Sequence, residues 1–369
     1  MLEADVELDR REFRLSAAFA VAAGERLALF GPSGAGKTTI LEVIAGLQEP
    51  GRGTVVLDGR VLTRTAPPLR QVPPWQRRVG LLRQDPALFP HLSVRQNLAY
   101  AARTRPGPGT GQDEITRIAE RLGIGGLVDD RPARLSGGQA HRVALGRLLA
   151  SHCDALLLDE PYSGLDASLT RDLTDLVREV VAARQVPSVL VAHELEAAQA
   201  FADRMAVLDQ GQILQLGSPA EVVAAPAARR VAELVGYRAF VPLPEDPGTV
   251  AGVHPDRVIP GRQPGRGVVL AGPVRSCRPA GAGWEATIEM VTIETASAET
   301  ASAERASAER AGAGAASGEA AGAGPGGTLV PVRLREAPAG GGDFTFTVLA
   351  PPCFRPDGTR VTRAEEVPT

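Results

Sequence analysis

The sequence predicts an α/β fold for residues 1–235, followed by a smaller β domain at 251–369. Three observations favour this fold class. A glycine-rich loop, Gly31–Thr38, lies between an apolar run typical of a buried strand and a segment with helical spacing. Two further continuous apolar runs, 155–158 and 188–192, are typical of strands in a parallel sheet covered on both faces. After the first 235 residues, prolines become frequent and apolar residues alternate with polar ones.

The amino-acid composition and the net charge limit the functions that the chain can have. The 369 residues include 44% hydrophobic residues and carry a net charge of -3, so two domains can fill real cores while overall charge gives no basis for nucleic-acid binding. Cys153, Cys277 and Cys353 form no C-x-x-C pair, which predicts neither disulfides nor a metal cluster and favours a reducing, cytosolic setting. An acidic N-terminal segment and the lack of a run of about 18 apolar residues predict a chain that is neither secreted nor membrane-spanning.

The glycine-rich loop fits the pattern G-x-x-x-x-G-K-[ST] in its required context between a strand and a helix. Glycines let backbone N–H groups wrap phosphates, and the helix start adds its positive dipole end. Lys37 reaches the outer phosphates and Thr38 offers a hydroxyl to Mg2+. The alternative, a turn that binds nothing, is disfavoured by the flanking elements. The predicted binding residues are Gly31, Pro32, Ser33, Gly34, Ala35, Gly36, Lys37, Thr38 and Thr39.

Short strands and a helical insertion are predicted around this loop. Residues 1–25 have the pattern of a strand pair, and residues 53–59 that of a strand ending in an Asp-Gly turn. Residues 78–84 predict a strand that ends in the polar amide of Gln84. Residues from about 85 to 134 predict a helical subdomain inserted between strands.

Phe13, in the first strand pair, allows two interpretations. Its ring could stack on a nucleotide base, because aromatic faces hold a base without sequence-specific hydrogen bonds. A core position is the more common role for such a phenylalanine, and it is the interpretation favoured here.

A second anion-binding end is predicted at Leu135–Gln139, whose sequence is LSGGQ. Ser136 is placed to cap the helix that follows, and small residues at a helix start leave backbone N–H groups open to an anion. One chain therefore carries two such ends. The residues predicted to contact the anion here are Ser136, Gly137, Gly138 and Gln139.

The buried strand at 155–158 leads to Asp159 and Glu160 at the C-terminal edge of the predicted sheet, where α/β proteins bind ligands. Two carboxylates at this edge indicate Mg2+ and water chemistry, with Asp159 assisting the metal and Glu160 nearer the attacking water. The strand at 188–192 delivers His193 to the same edge. A lone histidine is usually structural or solvated, but this position makes His193 a better candidate than most.

A small β domain is predicted after a linker at 236–250. Apolar residues alternate with polar ones from Trp284 to Met290, from Val330 to Leu334 and from Phe344 to Val348. Between these segments, three copies of a five-residue unit (ASAET, ASAER, ASAER) continue into Ala/Gly-rich sequence. Such composition buries too little apolar surface to order itself, which predicts a disordered insertion at about 294–327.

Together these residues resemble the ATP-binding cassette (ABC) family over about the first two thirds of the chain. LSGGQ carries the most weight, because a phosphate loop alone would also admit kinases, GTPases and helicases. Gln84, the segments 158–161 (LDEP) and 163–166 (SGLD), and His193 also resemble family motifs and follow in the family's order. The Ala-His pair at 140–141 departs from the more usual polar or basic pair after LSGGQ.

The resemblance implies that two cassettes pair head to tail, so that Lys37 of one copy and Ser136 of the other hold the same ATP. It implies that Glu160 acts as general base or positions water, that Gln84 senses Mg2+ and water, and that His193 contacts the γ-phosphate. Catalysis would then rest on positioning and charge stabilisation. The implied metal site comprises Thr38, Gln84 and Asp159, and Asp166 is implied to reach across the interface.

Residues 77–94 and the β domain resemble bacterial importer cassettes with a C-terminal, OB-like and β-barrel-like TOBE module, most of all those of molybdate importers. This implies an ATPase that converts ATP to ADP and phosphate as a homodimer. It would sit peripherally at the cytoplasmic face of the membrane and drive a separate permease, served indirectly by a substrate-binding protein. Sulfate, iron, polyamine and sugar importers stay open as alternatives.

A soluble cassette protein acting on a macromolecule in translation or DNA repair is the rival from another class. Translation factors of this family usually carry two cassettes in one chain, and repair proteins split theirs with long coiled coils. This chain has one cassette, no heptad run and a terminal β module. An exporter cassette would not need that module.

Overall fold

The computed structural model describes residues 1–9, 13–104, 111–163, 165–243, 246, 248–261, 267–280, 283–290, 292–296, 328–335, 343–349 and 351–361. The chain divides into two compact units, Met1–Val222 and Val223–Thr369. Each unit has its own hydrophobic core. Within the described ranges, no helix combines the length and the apolar character needed to cross a membrane.

The first unit mixes strands and helices, which confirms the predicted α/β class. Its strands are β1 (Leu2–Asp9), β2 (Arg14–Val21), β3 (Arg26–Phe30), β4 (Arg52–Leu57), β5 (Arg60–Arg64), β6 (Arg70–Gln71), β7 (Val79–Leu82), β8 (Ala155–Asp159), β9 (Ser188–Ala192), β10 (Arg204–Asp209) and β11 (Gln212–Gly217). Its helices are α1 (Lys37–Ala45), α2 (Val94–Thr104), α3 (Gln112–Arg121), α4 (Gly137–Ala150), α5 (Ala167–Arg184) and α6 (Leu195–Phe201), and α7 (Pro219–Ala224) crosses the division between the units.

These strands form one sheet in the order β6-β5-β4-β1-β2-β11-β10-β3-β9-β8-β7. The neighbours β10, β3, β9, β8 and β7 are parallel to one another, whereas β1 pairs antiparallel with β2 and β4. Because parallel strands end at the same edge of a sheet, the residues that follow β3, β7, β8 and β9 come together there.

The core of the first unit forms because the central strands are apolar along their whole length. Every residue of β8 and β9 is buried. Helix α1 packs on both of these strands, and α6 packs on β3 and β9. Between β7 and β8 the chain forms a helical insertion, in which α2 and α3 pack on α4.

In its described residues the second unit is a β domain that also contains the short α-helix α8 (Arg229–Leu234). Its strands are β12 (Ala239–Pro242), β13 (Val250–Val253), β14 (Val258–Pro260), β15 (Gly267–Ala280), β16 (Gly283–Glu289), β17 (Thr292–Ala296), β18 (Leu329–Leu334), β19 (Asp343–Leu349) and β20 (Cys353–Phe354). One sheet has the order β12-β13-β20, and the other has the order β14-β19-β15-β16-β18 with β17 paired to β15.

The second unit differs from the sequence expectation in three places. Residues 236–250, predicted as a linker, contain β12, because Ala239 and its neighbours pair with β13. Residues 294–296, placed at the start of the predicted disordered insertion, belong to β17, because its pairing with β15 extends to Ala296. Helix α8 groups with this unit, although the prediction ended the first domain at 235. Residues 297–327, with most of the predicted insertion, lie outside the described residues.

Candidate functional site

The loop at 31–36 connects β3 to α1 at the edge where the parallel strands end. Its backbone takes left-handed conformations at Gly34 and Gly36, with φ of 82° and 100°. At Gly31 the constraint is space, because a Cβ there would lie 1.9 Å from the carbonyl oxygen of Leu208 in β10. No side chain caps the start of α1. The N–H groups of its first turn therefore remain available to an anion.

Lys37 opens α1 and folds its ammonium back over the loop. Its Nζ donates to the carbonyl oxygens of Gly31 and Pro32, both at 2.8 Å. Burial lowers the pKa of Lys37, and the negative charges of Glu160 and Asp159 act against that shift. The side chain is 5% exposed. A buried cation in this loop is well placed to bind a phosphate group.

Thr38 and Asp159 bring two oxygen donors together beside the loop. The Thr38 hydroxyl donates to Asp159 Oδ1 at 3.1 Å. Asp159 ends β8 and is buried, and this burial raises the pKa of its carboxyl group, against the opposing effect of the Thr38 hydrogen bond. Oxygen donors of this kind are the ligands that Mg2+ prefers.

Glu160, the next residue, lies between two other polar side chains from neighbouring strand ends. Gln84 Nε2 approaches Glu160 Oε2 at 3.5 Å, and His193 Nδ1 lies 3.6 Å from Glu160 Oε1. Glu160 has a φ of 48°, a left-handed conformation that is uncommon for residues other than glycine. Such strain is often found where a side chain must be held in one direction.

These side chains line one open cleft with a volume of about 900 Å3. Phe13 also lines it while packing partly against the core of the first unit. Both interpretations of Phe13 therefore have structural support: its ring borders the cleft and is half-buried. The full lining comprises Phe13, Ser33, Gly34, Gly36, Lys37, Thr38, Thr39, Gln84, Glu160, Ser163 and His193.

The LSGGQ segment is not part of this lining. Ser136 caps α4, since the Gln139 N–H donates to Ser136 Oγ at 3.3 Å and the Ser136 N–H donates to Gln139 Oε1 at 2.8 Å. Asp166 caps α5, because its Oδ1 accepts from the N–H groups of Ser168 and Leu169 at 3.0 Å. These backbone hydrogen bonds lower the pKa of Asp166. The chain thus carries two separate polar surfaces, one at the cleft and one at the exposed start of α4.

Comparison with known proteins matches residues 16–163 to the ABC transporter family. This segment includes the phosphate loop, Gln84, LSGGQ and the Asp159-Glu160 pair. Residues 16–163 are an ABC transporter domain. The predicted resemblance to this family is confirmed, and most of the cleft residues described above lie within the matched segment.

Curated relatives of the ABC domain include three import proteins. A molybdenum import ATP-binding protein, ModC, of Mycobacterium tuberculosis is 45% identical over 228 residues, or 60% of this chain and 62% of that protein. A sulfate/thiosulfate import ATP-binding protein, CysA 2, of Chromobacterium violaceum is 40% identical over 237 residues, or 64% and 63%. An Fe(3+) ions import ATP-binding protein, FbpC, of Mesorhizobium japonicum is 40% identical over 227 residues, or 60% and 61%. The match thus spans less than two thirds of each relative.

Solved structures share the fold of the ABC domain. One is a dimeric ATP-binding cassette in a post-hydrolysis state bound to ADP and Pi, 24% identical with a TM-score of 0.52, covering 59% of this chain and 99% of that chain. Another is an ATP binding subunit of an ABC transporter, 25% identical with a TM-score of 0.51, covering 64% and 95%. Both likenesses confirm the cassette fold of the first unit.

Several features of the ABC domain were not used in the sequence prediction. Ser163 lines the cleft, whereas the sequence analysis named it only as part of the 163–166 (SGLD) segment and not as a site residue. Arg77 and His141 are buried polar side chains. Arg77 donates to the carbonyl oxygens of Val43 and Ile44, which lie 34 and 33 positions away in sequence. The composition could have drawn attention to one residue. Lys37 is the only lysine among the 369 residues, and every other residue in the Lys+Arg count is an arginine.

Proposed function

We propose that this chain is the ATP-hydrolysing subunit of an ABC importer, energising a separate membrane permease. The observation that carries this proposal is the convergence at one cleft of Lys37, the Thr38–Asp159 pair and the Glu160 carboxylate with its neighbours Gln84 and His193. Each of these groups has a use in phosphoryl transfer from a nucleoside triphosphate. The ABC family of residues 16–163 agrees with this chemistry.

In the proposed mechanism the ATP phosphates lie against the loop and the first turn of α1. Lys37 exchanges its carbonyl contacts for the outer phosphates, and Phe13 offers a ring beside the adenine. Glu160 holds the attacking water, and its neighbours Gln84 and His193 restrict the direction of its carboxylate. The chain supplies positioning and charge stabilisation, with no covalent intermediate.

Mg2+ fits the Thr38–Asp159 pair, because Thr38 lines the cleft and its hydroxyl lies 3.1 Å from Asp159 Oδ1, which brings two oxygen donors together there. The ion would neutralise charge on the outer phosphates when bound. Among the described residues, no group of three His, Cys, Asp or Glu side chains offers an all-protein metal site. We therefore infer that Thr38, Asp159 and Gln84 hold the ion together with phosphate oxygens and water.

The proposed active form is a homodimer in which each ATP lies between two copies. Support comes from the separation of the two anion-binding ends, since Ser136–Gln139 caps α4 on an exposed surface and does not line the cleft. A second copy would bring that end, and Asp166, to the nucleotide. Solved cassettes of the same fold are described as dimeric.

The cargo and the partners are proposed from the relatives. The import proteins named above are described as acting on molybdenum, sulfate or thiosulfate, and Fe(3+) ions. Molybdate or a related oxyanion is the cargo that we propose, with sulfate and iron as the next candidates. The chain would then bind a permease from the cytoplasmic face, with a substrate-binding protein acting on the permease, and the second unit would be a TOBE-like module.

Phosphate release from ATP by the purified chain tests the enzymatic part. We expect hydrolysis that requires Mg2+, disappears on chelation with EDTA and rises more than linearly with protein concentration as dimers form. Absence of Mg2+-dependent hydrolysis at every concentration would contradict the proposal. Affinity purification from the native cell tests the partner: recovery of a multi-spanning permease supports the importer, whereas recovery of ribosomes or DNA overturns it.

A further inference from the structure

Gln84 is a cleft residue that lies just beyond the part of its strand held by the central sheet. The parallel pairing of β7 with β8 ends at Leu82, and residues 85–93 then lead from Gln84 to α2. The side chain of Gln84 must nevertheless meet Glu160, whose Oε2 lies 3.5 Å from Gln84 Nε2. Contacts outside the sheet must therefore fix the direction in which the chain leaves β7.

An arginine of α4 makes such contacts with the turn that follows Gln84. Arg147 Nη1 donates to the carbonyl oxygen of Ala87 at 3.0 Å, and Nη2 donates to that of Pro86 at 3.1 Å. Two donors of one planar guanidinium fix orientation as well as distance. The Cζ atom of Arg147 also lies 5.2 Å from the centre of the Phe89 ring, within the range of a cation–π contact. One side chain thus contacts the segment at three residues.

The turn held by Arg147 has a backbone that needs outside support. Ala87 has a φ of 43°, a left-handed conformation that is uncommon for residues other than glycine. Pro86 has no N–H group to donate, and the Ala87 N–H donates to Asp85 Oδ1 at 3.2 Å. A conformation of this kind persists where the surrounding structure imposes it. The two hydrogen bonds from Arg147 supply that restraint.

The far part of the segment is held separately by Asn97 of α2. Asn97 Oδ1 accepts from the Phe89 N–H at 2.9 Å, and Asn97 Nδ2 donates to the Phe89 carbonyl oxygen at 3.2 Å. Asn97 is fully buried. Removal of the Arg147 guanidinium would therefore loosen residues 84–88 and leave the attachment at Phe89 in place.

We propose that Arg147 is a positioning residue, whose two hydrogen bonds to the turn at 85–87 set the position of the Gln84 side chain against Glu160. The inference rests on the proposed ATP hydrolysis, in which Gln84 and Glu160 act together. It goes beyond that function because Arg147 is not among the residues that line the cleft. Its effect on hydrolysis is exerted through Gln84.

A double-mutant cycle on ATP hydrolysis by the full chain tests this dependence. Arg147→Met removes both donors and should lower kcat about ten- to a hundredfold, the cost of a misplaced group at the reacting centre. KM for ATP should change less than about twofold, because the phosphate loop is untouched. Gln84→Ala should lower kcat at least as much. In the Gln84→Ala chain, Arg147→Met should add no more than about a twofold further loss.

Arg184 provides a matched control on the same helix. Its Nη1 and Nη2 donate to the carbonyl oxygens of Ser151 and Leu149, at 2.8 and 2.7 Å, at the end of α4 far from Gln84 in sequence. Burial lowers the pKa of both Arg184 and Arg147. Arg184→Met should lower the melting temperature as Arg147→Met does, and it should leave kcat within about twofold of the unaltered chain.

Hydrogen exchange read by mass spectrometry tests the position of the turn without any need for hydrolysis. Peptides that cover 84–88 should exchange about tenfold faster in Arg147→Met, because two hydrogen bonds that restrain the turn are lost. The same peptides should exchange at the unaltered rate in Arg184→Met. If Arg147→Met does not fold, Arg147→Lys replaces it in the cycle and in the exchange measurement, since an ammonium cannot hold both carbonyl groups in the same way.

Unchanged exchange at 84–88 in the Arg147 variant would overturn the proposal. So would an unchanged kcat, a loss of kcat of the same size with and without Gln84, or an equal loss in Arg184→Met. Lack of hydrolysis by the unaltered chain would instead overturn the proposed function, and the exchange measurement keeps the two failures distinguishable.

Discussion

The ammonium of Lys37 donates to two carbonyl groups of its own loop, and a bound phosphate would replace these partners with full negative charges. Lys37→Ala should therefore lower ATP hydrolysis at least about a hundredfold through lost phosphate binding. Lys37→Arg should also fail, because a planar guanidinium does not fit a position filled by a compact ammonium. Nucleotide binding and phosphate release measure both effects. Undiminished hydrolysis in Lys37→Ala would refute the proposed role.

The role proposed for the carboxylate of Glu160 is separate from that of the proposed phosphate-binding groups. Glu160→Gln keeps the size of the side chain and removes its ability to accept a proton from water, so hydrolysis should fall about a hundred- to a thousandfold. ATP binding should persist, and the ATP-bound dimer should accumulate. Light scattering after size-exclusion chromatography with ATP measures the dimer. A variant that stays monomeric with saturating ATP would count against the shared site.

Helix α1 ends against a buried arginine, and this contact positions the element that carries the phosphate loop. Arg77 donates to the carbonyl oxygens of Val43 and Ile44 in α1 and to the hydroxyl of Thr63. It faces Gly46, where a Cβ would lie 2.3 Å from Arg77 Nε. Burial lowers the pKa of Arg77 to about 10. The guanidinium thus acts as a C-terminal cap for α1 from inside the protein.

Arg77→Met keeps the approximate length of the side chain and removes these donors, which takes hydrogen bonds away from buried polar groups around it. The free energy of unfolding of the first unit should fall by about 2–4 kcal/mol. The neighbouring residue provides the control. Arg78 is exposed and pairs with Asp154 at the surface, so Arg78→Met should change the free energy of unfolding by less than about 1 kcal/mol. Urea unfolding followed by far-ultraviolet circular dichroism at the helix signal measures both, because helices α1–α6 lie in the first unit. Equal effects of the two substitutions would contradict the capping role.

A histidine also holds a turn in the second unit, and this predicts a pH dependence. His254 Nδ1 accepts from the Asp256 N–H at 3.3 Å, and Nε2 lies 3.3 Å from the carbonyl oxygen of Val235. Burial lowers the pKa of His254 from its ordinary value of 6.5; Asp256 raises it, whereas Arg257 and Arg333 lower it. Protonation would place a hydrogen on Nδ1 and break the bond from Asp256.

The unfolded chain therefore binds more protons than the folded chain below about pH 6.5. The contribution of His254 to stability is complete above that pH and is lost as the pH falls toward the lowered folded-state pKa. Unfolding of the second unit at pH 7.5 and 5.5, followed by Trp284 fluorescence in a Trp75→Phe background, measures this loss. His254→Asn can keep the acceptor without titrating, and its pH dependence should be smaller. If the stability of His254→Asn depended on pH as strongly as that of the unaltered chain, this account of His254 would be contradicted.

At the scale of the whole molecule, the separation of the two anion-binding ends predicts complementation. A chain with Lys37→Ala and a chain with Ser136→Arg should each be inactive alone, because each lacks one half of both sites. Mixing them should form one site from two intact halves and restore up to about half of the hydrolysis per dimer. If heterodimers form but no mixing ratio restores hydrolysis, the proposal that two chains share each ATP site is contradicted.

The sequence predicted most of the first unit and less of the second, and the reason is physical. The apolar run of β9 has the same limits in sequence and structure, because a strand buried on both faces needs apolar residues throughout. β15 was not predicted, because Gly272, Pro273 and two arginines interrupt any alternation along its 14 residues. Within the site, motif spacing indicated the cleft residues. The hydrogen bonds from Arg77 to Val43 and Ile44 depend on packing between distant segments, which spacing does not encode.

The single lysine has a consequence for chemical labelling. Apart from the amino terminus of the chain, every amine-directed acylation of this sequence would fall on Lys37 in the phosphate loop. The lowered pKa of that residue leaves more of it unprotonated and nucleophilic than an ordinary surface lysine. Mass spectrometry of one peptide would therefore follow occupancy of the loop, and an acetylating agent would have its sole lysine target at the residue proposed to bind the phosphates.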